Sequence, residues 1–278
     1  MDPDTDVVEV DDTGDVTEAP PEEQVVEVGV DPYSEERLMP AGSNTPPQFI
    51  QDQGEGNAEV EARLVKIAQA SKDRGTFEND RKWYETEGDR TRRKARELGI
   101  SEEDFIAVTA HLSPKMLWER TNPQGETEYI NLAAAERAVQ LHRLFPDMDP
   151  QNIVKMPAGF EGVTGLPKNY SKAIMHLRGN PSHYGPKTGN FAANLTDPEG
   201  TRDMVTIDTL MASALAGRPL GKNESYELNQ ITRVKKSDRT PGGYGWAQRR
   251  IHEAAKVVGI TPQELQAVVW SEWRRTLS

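Results

Sequence analysis

Beyond residue 57, apolar residues recur at three- and four-residue intervals, the period of a helix with one buried stripe. Val60, Leu64, Ile67 and Ala68 predict a first helix behind Asn57 as its cap. Phe77 to Leu98 predicts a second, closed by Gly99, with Arg92, Arg93, Lys94 and Arg96 near the end where cations suit the helix dipole. Ser101-Glu-Glu-Asp104 has the form of a capping box with Asp in the Glu position. Phe105, Val108 and Leu112 supply the next stripe, and Ser113-Pro114 stops it. Lys115 to Thr127 reads as an outward loop or short helix. Asn131 to Leu144 is amphipathic with an Ala-rich side, and Pro146, Pro150 and Pro157 then divide the chain into short pieces. A turn at Gly165-Leu-Pro167 leads into a helix over Asn169 to Leu177, and Arg178 to Tyr184 forms a hairpin. Tyr244 to Val258 is a helix ended by Gly259. Thr261-Pro-Gln-Glu264 is a capping box with Pro at the first helical position, opening a stripe of Leu265, Val268, Val269 and Trp273. No strand-rich region appears, so the expected body is all-α.

Residues 1–56 differ in texture. They are acidic, rich in Pro and Gly and poor in aromatics, so they bury too little surface to offset chain entropy and are expected to be a disordered tail. Residues 57–278 then form one helical domain. Residues 1–60 hold 17 Asp or Glu against one basic residue, Arg37, whereas residues 61–278 hold 32 basic and 28 acidic residues. The formal charge of −12 therefore joins an acidic tail to a slightly basic body, and nucleic-acid binding by the body is allowed. Val7-Val-Glu-Val10 recurs as Val25-Val-Glu-Val28, islands that could add a strand to a partner protein's sheet edge. The tail could also mimic the charge of DNA and compete for the basic face. Cysteine is absent, which excludes disulfides and thiolate metal sites. Five scattered histidines suggest no metal site, and no cofactor is expected. Neither a signal peptide nor an apolar run of membrane length is present, so a cytoplasmic monomer is the simplest expectation, in the host cytoplasm for a viral chain.

The candidate chemistry lies in Gly185-Pro-Lys-Thr-Gly-Asn-Phe-Ala-Ala-Asn-Leu195 and Val205-Thr-Ile-Asp-Thr-Leu-Met211. Gly185 permits a sharp turn, and Pro186 suits a first helical position. Lys187 then stands in a first turn, where the dipole disfavours a cation unless an anion such as phosphate docks there. Asp208 ends the apolar run Val205, Ile207 and stands where an N-cap belongs, ahead of an Ala-rich helix from Thr209 to Ala216.

Gly185-Pro-Lys-Thr-Gly-Asn resembles the second half of the helix-hairpin-helix of base-excision DNA glycosylases of the endonuclease III superfamily. Ile207-Asp-Thr resembles that family's Val-Asp-Thr. Gly165-Leu-Pro-Lys-Asn-Tyr-Ser-Lys-Ala-Ile174 and Phe105-Ile-Ala-Val-Thr-Ala-His-Leu-Ser-Pro114 fit two further motifs in order, so the resemblance covers roughly residues 100 to 275. It implies a two-lobed helical fold, catalytic Lys187 and Asp208, and double-stranded DNA as partner. Without cysteine, the similarity is to members lacking the iron–sulfur cluster. One departure stands out: the family's Leu-Pro-Gly-x-Gly hairpin is Asn180-Pro-Ser-His-Tyr-Gly185 here, with His183 for the first glycine. The DNA contacts implied or suggested are His183, Tyr184, Gly185, Thr188, Lys168, Lys172 and Ser113, together with Lys235, Lys236 and Arg239 in a basic glycine-rich loop. Trp118, Tyr129 and Trp246, with Phe105, are candidate walls for an extruded base.

In such a site the carboxylate stabilises a cationic sugar-centred transition state, and the amine attacks the same carbon, expels the base and forms a Schiff base. A phage-type enzyme of modified-thymine chemistry on the same fold, and a non-catalytic DNA-binding or interaction module, remain open alternatives.

Overall fold

The computed structural model describes residues 44–277, apart from 115, 117, 155–166, 181–184, 198, 200–203, 222 and 233–242. All of these fall within one compact unit, residues 32–278. Thirteen helices are described: α1 Gln48–Asp52, α2 Asn57–Arg74, α3 Phe77–Arg81, α4 Trp83–Leu98, α5 Glu102–Leu112, α6 Ile130–Leu144, α7 Pro150–Ile153, α8 Pro167–Leu177, α9 Pro186–Thr196, α10 Thr209–Ala216, α11 Ser225–Thr232, α12 Gly243–Val258 and α13 Pro262–Thr276. Among the described residues, the strands are the short pair β1 Arg120–Thr121 and β2 Thr127–Glu128, antiparallel, with Arg120 opposite Glu128. The all-α expectation holds. None of the described helices is long and apolar enough to cross a membrane.

Side chains pack into two apolar clusters. The first gathers around α5, which is buried along nearly its whole length and flanked by α4, α6, α8 and α9. The second forms where α12 and α13 lie on α2, joined by α10 and α11. Helix α13 serves both: Ala267 belongs to the first cluster, while Leu265, Val268 and Val269 belong to the second. Glycines permit two close crossings. A Cβ on Gly88 of α4 would lie 2.8 Å from the Leu195 carbonyl oxygen of α9, which accepts a bond from Arg92. A Cβ on Gly243 of α12 would collide with the Gln230 carbonyl oxygen of α11.

The capping signals operate as read at two helices. Ser101 Oγ accepts from the Asp104 amide, and Thr261 and Glu264 form a reciprocal box that fixes the start of α13. Three expectations are corrected. Asn57 is not the cap of α2: Gly56 is, with Glu59 accepting its amide, while the Asn57 carboxamide bridges the Asn44 carbonyl and the Trp246 indole. The span from Phe77 to Leu98 is two helices, broken at Lys82. Disorder of residues 44–56 is also wrong, because Phe49 and Ile50 of α1 are buried and Arg250 binds the Asn44 side chain; residues 1–43 lie outside the described residues. Apolar burial there outweighs the polar composition around it. The Val repeats of the tail lie outside the described residues. A deletion testing tail competition therefore stops at residue 43; unchanged DNA affinity and salt dependence after it would refute the idea.

His111 of α5 is buried, its ring centroid 6.0 Å from that of His176 on α8. Burial, then the nearby His176 and Lys172 charges, lowers its pKa from 6.5 to about 4. His176 in turn faces Asp104 at 3.3 Å. The folded chain thus keeps His111 neutral where the unfolded chain protonates it. Its contribution is complete above pH 6.5 and declines as pH falls toward 4, by about 3 kcal/mol in all. Urea unfolding at pH 7, 5.5 and 4.5 should show this decline, and His111→Gln should flatten it.

Candidate active site

The segment from Met204 to Asp208 forms neither helix nor ladder-paired strand among the described residues, so its buried polar backbone groups need side-chain partners. It finds them on three helices. Gln266 of α13 accepts the Thr206 amide at 3.1 Å. The Tyr244 hydroxyl of α12 accepts the Ile207 amide at 3.1 Å and donates to the Val205 carbonyl at 3.3 Å. Asn190 of α9 donates to that same carbonyl at 2.7 Å. Burial pushes the Tyr244 hydroxyl above its ordinary pKa, so it remains a donor. These bonds set the position of Asp208. Its Oδ1 caps α10 by accepting the Met211 amide at 2.8 Å, and its Oδ2 accepts the Trp270 indole N–H at 3.1 Å.

Lys187 is half-buried in the first turn of α9. The cap, Gly185, offers no side chain to the first-turn amides, so those of Lys187 and Thr188 remain available to an anion. Among the described residues, no acidic group lies within ion-pair distance of Lys187.

Lys187 and Asp208 line the same cleft. Its other walls are Trp83, Tyr84, Ser113, Met116, Trp118, Asn131, Phe191, Thr206, Gln266, Ala267 and Trp270. The cleft lies where α13 and the segment from Met204 to Asp208, each contributing to both apolar clusters, pass between them. The cavity is narrow, about 80 Å³, below the roughly 300–1,000 Å³ of ordinary small-molecule sites. The aromatic walls brace one another. Trp83 packs edge-on to Tyr84 at 4.9 Å and Trp118 at 5.2 Å, and lies 5.8 Å from Trp270. The Tyr84 hydroxyl donates to Gln266 at 3.0 Å.

Trp118 is oriented by a buried carboxylate. Its indole N–H donates to Glu87 at 2.8 Å, and Arg90 pairs with the same oxygen at 3.0 Å. Burial pushes the Glu87 carboxyl up, against the bonds from Trp118 and Arg90. Arg90 also stacks on Tyr129, 3.8 Å from the ring centroid.

The sequence-predicted site residues are partly gathered. Lys187, Asp208, Ser113 and Trp118 meet at the cleft, with Gly185 and Thr188 beside Lys187 on the same helix start. Tyr129 does not line it; its ring carries the Arg90 guanidinium in another groove. Trp246 is fully buried in the second cluster and bonded to Asn57, and Phe105 is fully buried in the first. Neither is a pocket wall, since both rings are enclosed by packing. Lys168 and Lys172 are exposed on α8, away from the cleft lining. His183, Tyr184, Lys235, Lys236 and Arg239 lie outside the described residues. Pattern reading missed Trp83, Tyr84, Asn131, Phe191 and Trp270 as walls. An indole on a helical stripe gives no local sign of whether it faces packing or space. Among the described residues no group of three or more His, Asp or Glu side chains could hold a metal ion.

The molecule is thus an all-α protein in which, among the described residues, a lysine and a carboxylate share an aromatic-walled cleft. Residues 48–277 match a family of unknown function (DUF7178), and the chain belongs to that family. No curated protein and no solved structure matches it.

Proposed function

We propose that the chain is a DNA base-excision enzyme of the helix-hairpin-helix glycosylase type, with Lys187 as nucleophile and Asp208 as the carboxylate opposite it. The observation that carries this is their shared cleft: two residues 21 positions apart, each at a helix start, line one aromatic-walled opening. A base extruded from the duplex stacks among Trp83, Trp118 and Trp270. Positive charge develops on the sugar as the glycosidic bond lengthens, and the Asp208 carboxylate stabilises it. The Lys187 amine attacks the anomeric carbon through its nitrogen lone pair. The glycosidic electron pair leaves with the base, which takes up a proton. Loss of a proton from nitrogen and opening of the sugar ring give a Schiff base. Removal of the adjacent sugar proton then expels the 3′ phosphate. First-turn amides of α9 and the basic balance of the body supply backbone contacts.

A non-catalytic DNA-binding module is the second reading. It is favoured by Asp208 itself, whose two oxygens each already accept a structural hydrogen bond. Borohydride trapping on duplexes carrying uracil, hydroxymethyluracil, an oxidised purine or an abasic site separates the two: a covalent adduct supports the enzyme, and binding with neither adduct nor base release supports the module.

A further inference from the structure

Asn131 is only 1 % exposed, lines the cleft, and its Oδ1 is a buried acceptor with no hydrogen-bond partner among the described residues. A buried acceptor without a protein partner favours a ligand that brings a donor to it. The position is firmly held. Asn131 stands in the first turn of α6, directly after the β1–β2 hairpin, and its amide approaches the Trp118 carbonyl at 3.4 Å. The walls around it are flat. Trp83, Trp118, Phe191 and Trp270 line the same narrow space, which suits a planar ring rather than a bulky group.

We propose that Asn131 is a specificity-determining residue that reads the edge of a flat heterocycle in the cleft, and that the ligand is a base presenting an N–H donor beside an acceptor. The N–H donates to Oδ1, and the neighbouring acceptor accepts a hydrogen bond from the carboxamide N–H. Uracil- and thymine-type rings carry this edge as N3–H beside a carbonyl. The inference rests on the glycosylase reading for the arrival of the base from DNA, but base binding itself needs neither Lys187 nor catalysis.

The test is titration of the full chain with deoxyuridine and with 3-methyldeoxyuridine, whose N–H is blocked, followed through tryptophan fluorescence and the Asn131 side-chain amide signal in NMR. Deoxyuridine should bind at least about tenfold more tightly and shift the Asn131 amide. In Asn131→Leu the two nucleosides should bind alike. Equal binding of both by the unaltered protein, or discrimination that survives Asn131→Leu, overturns the proposal. Should Asn131→Leu fail to fold, the comparison in the unaltered protein decides by itself. Discrimination without any base release from duplex DNA leaves Asn131 in its role and removes the glycosylase reading. Base release from DNA with no discrimination does the reverse.

Discussion

Lys187→Ala should remove the borohydride-trapped adduct entirely while leaving the folded chain intact. The side chain is half-buried and makes no ion pair among the described residues, so its loss should change stability by no more than about 0.5 kcal/mol. An amine that forms the covalent bond has no substitute at the same carbon. Asp208→Asn supplies the companion measurement. The amide keeps an oxygen for the Met211 cap but loses the charge that opposes a cationic sugar, and base release should fall roughly 10²–10³-fold. Base release that survives Lys187→Ala but not Asp208→Asn would indicate a monofunctional enzyme. An adduct undiminished in Lys187→Ala would show that another amine attacks.

The largest effect on stability should come from Gly243→Ala. A methyl group there overlaps the Gln230 carbonyl oxygen, and the obstacle is backbone rather than a movable side chain tip. Helix α11 must shift away from α12, which also carries Tyr244, the residue that holds the backbone of Val205 and Ile207. A loss of about 3 kcal/mol or more is expected in urea unfolding, at the upper end for overpacking. Because the same helix steadies the segment leading to Asp208, any variant that still folds should lose deoxyuridine binding as well. An unchanged unfolding midpoint would mean that the α11–α12 crossing is looser than it stands here.

Much of the helical order was legible along the chain because caps and stripes are local. Thr261 to Glu264 and Ser101 to Asp104 act within four residues, and both caps stand even though Glu264 also meets Arg81 and Asp104 also meets His176. Asp208 as a cap followed from the same logic. The failures share a different cause. Asn57 looked like a cap, but Trp246, far along the chain, claims its oxygen. Residues 48–56 looked like tail, but α1 finds apolar partners that composition does not reveal. Trp246 and Trp270 both lie on helical stripes; one is sealed in the second cluster, and the other opens onto the cleft and binds Asp208.

By itself, then, the sequence determined which residues carry reactive groups and which helix starts display them, since hydrogen bonds across three or four positions are set by neighbours in the chain. Only the tertiary structure decided that Lys187 and Asp208 share an opening, that Glu87 holds Trp118 at its wall, and that Asn131, whose Oδ1 has no partner among the described residues, lines it. Those relations depend on how helices far apart in the chain cross, and crossing is fixed by packing at places such as Gly88 and Gly243, where the absence of a side chain matters only once the opposing backbone is present.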